Sequence, residues 1–252
     1  MSVEEEVIIR EIEEISVKNP KVLIGLPEVG LVGIISAIHL IETLSMKEVG
    51  YLKSHYFPPL VILHKGKVKA PMRIYNYEDI LLIISEIPIP PAVIPQMARK
   101  IVNWSKDKGT EIIVMLGGLP VPNRIDIESP KVYAIPQGVR AEEITESLGI
   151  ERLREGIMVG PYASILLECC EQEQDALLLS AEAYMQYPDP GAAASILQIV
   201  AKVLNVELDV KPLLEKAEDL RIRLRDLMRR TTQTMQRMGK MQEHGIPPMM
   251  YI

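Results

Sequence analysis

The sequence predicts an α/β sandwich around a largely parallel sheet, followed by a long helix and a short apolar tail. Three observations support this. Short apolar runs of strand length, punctuated by Gly and Pro, recur through residues 1–210. Stretches with helical spacing of apolar residues separate them, and this alternation is the pattern of a sheet covered by helices. Beyond Pro212 the strand signals stop and apolar residues fall alternately four and three apart.

In chain order, "KVLIGL" (Lys21–Leu26) reads as a buried strand, and "LVGIISAIHLIETL" as the helix that follows it. Strands are expected at Val49–Lys53, Leu60–His64, Val68–Tyr75 and Ile80–Ser85, with "HKGK" (His64–Lys67) as a hairpin turn. A helix over Pro95–Lys106 ends in basic residues and glycine, as a C-terminus prefers. Glu111–Leu116 is the next buried strand. Gly117–Pro130, rich in Pro and Gly, is expected to be a surface loop. "KVYAI" resumes as a strand, and Ala141–Leu148 is a short helix. "PYASILLECCEQEQ" is a helix with Pro161 in its first turn, and Asp175–Ala183 is a strand. Asp189 is placed to cap the last helix of this region, with Pro190 at its first position.

Composition narrows the function. The 252 residues are enough for a sizeable core. A net charge of −6 argues against nucleic acid as the main partner, because phosphate binding needs a positive field. No apolar run reaches the length of a membrane span, and the acidic start lacks the pattern of a secretory leader. The only cysteines, Cys169 and Cys170, are neighbours, which suits buried thiols in a reducing cytoplasm.

Catalytic candidates are few. Gly25, Gly30 and Gly33 in "GLPEVGLVG" lie between a strand and a helix. They either cradle a phosphate on free backbone N–H groups or allow a tight turn and close helix–sheet packing. The motif fits neither the dinucleotide nor the Walker pattern. His39, His55, His64 and His244 have no metal-site spacing, and His39 reads as a hydrogen-bonded core residue. Ser164 and Ser195 are near helix starts without a nucleophile-elbow motif, and packing explains them. No metal or cofactor is expected, nor is an enzyme. The alternative is a nucleotide- or nucleoside-binding enzyme using the turn at 25–33.

The C-terminal part is distinct. Leu213, Ala217, Leu220, Leu224, Leu227, Thr231, Thr234, Met238 and Met241 form a heptad seam, with arginines on the flanks. This helix either packs on its own domain, or packs against copies of itself or projects a tail, or binds nucleic acid through its arginines. The expected units are a core over 1–210, a helix over 211–243 and a docking tail over 244–252. The tail "GIPPMMYI" ends in Met250, Tyr251 and Ile252. Its free carboxylate can pair with a lysine in a partner's groove, Tyr251 is an amphipathic anchor, and Pro247 and Pro248 pre-order the approach.

Four stretches, "GLPEVGLVG", "GGLPVP", "GPYASILL" and "YPDPGAAASIL", lie in order between about residues 21 and 204. On these the chain resembles the proteasome assembly chaperone family, specifically archaeal homologues of the second eukaryotic assembly chaperone. The resemblance implies a three-layer α/β sandwich like that of nucleoside phosphorylases. It further implies a non-enzymatic homo-oligomer, with a tetramer or pentamer expected. The family's hydrophobic–Tyr–X ending falls on Met250, Tyr251 and Ile252, and would dock in pockets of the proteasome α-ring.

Overall fold

The computed structural model describes residues 7–244. The strands are β1 (Val7–Glu11), β2 (Lys21–Gly25), β3 (Lys47–Ser54), β4 (Ile62–His64), β5 (Lys67–Lys69), β6 (Met72–Tyr77), β7 (Ile80–Ser85), β8 (Ile112–Pro120), β9 (Val132–Gln137), β10 (Glu151–Arg152) and β11 (Ala176–Ala183). The helices are α1 (Val32–Thr43), α2 (Ile94–Asp107), α3 (Val139–Ser147), α4 (Pro161–Glu171), α5 (Pro190–Leu204), α6 (Lys211–Glu215) and α7 (Ala217–His244).

Nine strands form one sheet in the order β1-β3-β6-β7-β2-β8-β11-β9-β10. The expected parallel sheet is its centre, where β7, β2, β8 and β11 run in one direction. These strands are buried on both faces, which is why they read as unbroken apolar runs. Along β2, Leu23 points to one layer while Val22 and Ile24 point to the other. The first layer contains α1, α3 and α5, and the second α2 and α4. The result is the three-layer sandwich.

Four results differ from expectation. The presumed loop Gly117–Pro130 begins as strand: Gly117–Pro120 extend β8 and pair in parallel with Ser180–Ala183. Its glycines permit close packing there and do not break the ladder. Second, the expected strand Val68–Tyr75 is split between β5 and β6, and β4 and β5 form a separate two-stranded sheet. The hairpin turn is where it was expected, with Lys65 at φ 49° and Gly66 at φ 74°. Third, β1 adds an edge that the charged N-terminus concealed, pairing antiparallel with β3. Fourth, the C-terminal helix is interrupted at Lys216. Part of its seam packs on its own domain, one of the expected readings, since Leu213 and Leu224 are buried in the first layer and Leu227 packs against it.

Local signals held where they were strong. The Asp189 carboxylate accepts the Ala192 N–H and caps α5, with Pro190 following. His39 is buried in α1 and its Nε2 lies 2.8 Å from the Asp209 carbonyl oxygen, to which it donates. This bond ties the segment after α5 back onto the core. Among the described residues no helix is long and apolar enough to cross a membrane.

Candidate functional site

The glycine-rich turn, the end of β8, the start of α4 and the start of α5 meet at the carboxyl ends of β2, β8 and β11. In open α/β sheets this is where ligands usually bind. Here the space is filled by protein. A Cβ on Gly33 would lie 2.4 Å from the Leu116 carbonyl oxygen and 2.7 Å from that of Leu26. One on Gly25 would lie 2.5 Å from the Gly33 oxygen, and one on Gly118 2.4 Å from the Val29 oxygen. The backbone groups facing Gly25 and Gly33 are carbonyls, which repel an anion. The turn is therefore a packing device, and this geometry does not support the phosphate reading.

Tyr162, the second residue of α4, fills the gap where β2 and β8 part. Its hydroxyl accepts the Leu26 N–H at 2.8 Å and donates to the Leu116 carbonyl at 2.6 Å. Burial, reinforced by the charge of Glu28, pushes the phenol well above its ordinary pKa, so it stays neutral. Glu28 is on the turn itself, and burial raises its carboxyl to about 7. Its Oε1 lies against Gly160, which enters α4 at φ 102°.

A second knot joins the loop after β8 to α5. Arg124 meets Asp189 through Nε–Oδ2 at 2.7 Å and Nη2–Oδ1 at 3.0 Å, with Asp189 fully buried. Asp189 also accepts the N–H groups of Ala192 and Tyr184, while the Asp189 N–H donates to Gly30. Arg124 stacks over Tyr184, its Cζ 5.1 Å from the ring centroid. These charges are fully occupied in holding three loops together.

Nothing in this region forms a nucleophile–base pair. Cys169 is buried, and its thiol is pushed up to about 12 by desolvation, while Cys170 faces solvent. Among the described residues no group of His, Cys, Asp and Glu could hold a metal ion. The outer surface of the knot is instead apolar. Ile125, Tyr184, Tyr187 and Pro188 face Arg221, Ile222 and Arg225 of α7 across a groove of about 350 Å³. A neighbouring cavity is walled by Pro120, Pro122 and Met185. Ile125, Met185, Tyr187 and Ile222 are all exposed, and Tyr and Arg beside apolar surface is the composition of a protein-binding face.

Sequence reasoning singled out the glycines and Asp189 but missed Tyr162, Glu28 and Arg124. Tyr162 carried a signal, a tyrosine one residue past a helix-opening proline. Arg124 carried none, since its partner is 65 residues away. Met250, Tyr251 and Ile252 lie outside the described residues.

The four motifs that carried the resemblance are thus the four segments of this knot. The model of the PAC2 family matches residues 22–228. An uncharacterized protein of Methanocaldococcus jannaschii is 31% identical over 216 residues, 85% of this chain and 87% of its own. The crystal structure of Pyrococcus furiosus PbaA, an archaeal homolog of proteasome-assembly chaperone, is similar with a TM-score of 0.83 at 30% identity. That likeness covers 90% of this chain and 98% of PbaA. Pyrococcus furiosus PbaB, an archaeal proteasome activator, matches with a TM-score of 0.74 at 27% identity, over 88% of this chain and 99% of its own. The packing of the knot, the three-layer fold and a match over most of the length agree, and the chain belongs to the PAC2 family.

Proposed function

We propose that this chain is an ATP-independent proteasome-binding factor that assists assembly of the core particle or activates it. The observation that carries this reading is its membership of the PAC2 family, with similarity to PbaA and PbaB along nearly their whole length. The body over 1–210 acts as a scaffold without catalytic groups, and the helical segment over 211–243 presents the tail over 244–252. Met250, Tyr251 and the Ile252 carboxylate dock between α-subunits of the ring, in the cytoplasm. One such tail binds weakly, and several on one homo-oligomer raise avidity by ~10²–10⁴.

Native mass measurement tests this, using the protein alone and mixed with proteasome α-rings. The full-length chain is expected to form a complex. Tyr251→Ala, or loss of the last three residues, is expected to abolish it. Undiminished association of both variants would overturn the reading.

A further inference from the structure

The β4–β5 hairpin faces the wrong way for an element that belongs only to its own chain. Leu63 pairs with Val68, and Ile62 with Lys69, so the ribbon has an apolar side and a basic side. Lys69 pairs with Glu48 of β3, which lays the base of the basic side on the body, while Lys67, on the same side nearer the turn, stays exposed. The apolar side points outward: Leu63 is 72% exposed, Val68 67% and Val61 56%. An isolated two-stranded hairpin is marginal in water, and an uncovered apolar side adds to the cost of displaying one.

Charge indicates what covers it. From Val49 to Tyr77 there is no Asp or Glu, while Lys53, Lys65, Lys67, Lys69 and Arg73 give +5. The remaining 23 basic and 34 acidic residues leave −11 on the rest of the chain. At the base, Arg73 is held by Glu86 and the Ala70 carbonyl. At the tip, Lys65 and Lys67 are exposed and have no ion-pair partner among the described residues. Two such hairpins repel one another, whereas the body of another copy attracts them.

We propose that the hairpin docks its Leu63–Val68 side on an acidic face of a second copy of this chain, with Lys65 at the turn and Lys67, on the other side of the tip, reaching around its edge to carboxylates at the rim of that contact. The contact is head-to-tail, because a basic arm meets a different surface of its neighbour. It is independent of the tail.

Carbodiimide, which joins a lysine only to a carboxylate in direct contact, tests this on an equal mixture of isotopically heavy and light full-length chains. The expected product is a peptide pair of mixed isotope joining Lys65 or Lys67 to an Asp or Glu of another copy. Native mass measurement then compares wild type with Leu63→Lys/Val68→Lys and with Lys65→Glu/Lys67→Glu. All four positions are exposed, so circular dichroism should be unchanged. Each variant is expected to weaken copy-to-copy association at least about tenfold, and high salt to weaken that of wild type. A wild type of single-copy mass would overturn the proposal, as would links confined to single copies or variants that associate like wild type. So would hairpin-dependent binding to phosphatidylserine vesicles with copy-to-copy association unaffected by the variants. Removing the last three residues leaves this association intact, so the hairpin and the tail fail separately.

Discussion

Arg124 and Asp189 are 65 residues apart and meet through two parallel hydrogen bonds of 2.7 and 3.0 Å, with the carboxylate wholly shielded from water. Breaking such a pair leaves one buried charge uncompensated, which costs roughly 3–5 kcal/mol. Arg124→Ala and Asp189→Ala are each expected to lower the free energy of unfolding by about that amount in urea titration. The double variant should lose clearly less than the sum, because no lone charge is left behind.

Tyr162 closes the gap between β2 and β8 with one oxygen. Tyr162→Phe keeps the ring but strands the Leu26 N–H and the Leu116 carbonyl. The expected loss is about 1–3 kcal/mol in the same titration, with the fold retained. Unchanged stability would mean that the two backbone groups find other partners.

Glu28 makes stability depend on pH. Its folded pKa is about 7, raised from 4.5 by burial, so between those values the folded state holds a proton that the unfolded state has released. Its contribution is best below pH ~4.5 and is lost as pH rises through about 7. Glu28→Gln removes the ionisation. The variant should gain on the order of 2–3 kcal/mol over wild type at pH 8 and nothing at pH 4, read from thermal unfolding across that range.

Gly33→Ala places a methyl group 2.4 Å from one backbone carbonyl and 2.7 Å from another. Neither can rotate away, so a loss of about 3 kcal/mol or more is expected, at the upper end for overpacking. Gly156 is the control. No atom stands within 4 Å of a Cβ there, and Gly156→Ala should move stability by less than about 0.5 kcal/mol.

Features that depend on near neighbours were readable from the order of residues alone. β2, β7 and the first part of β8 were legible because strands buried on both faces are continuous apolar runs. The α5 cap and the hairpin turn were legible because each depends on a few adjacent residues. The chemistry of the Met250–Tyr251–Ile252 ending is likewise local. The packed fold alone makes Gly117–Pro120 a strand, since β11 supplies its partners. Only it joined Arg124 to Asp189, His39 to Asp209 and Tyr162 to two strands, over separations of 46 to 170 residues. Such contacts leave no spacing in the sequence: a hydrogen bond is set by distance in space, and along the chain that distance is decided by the packing of everything between.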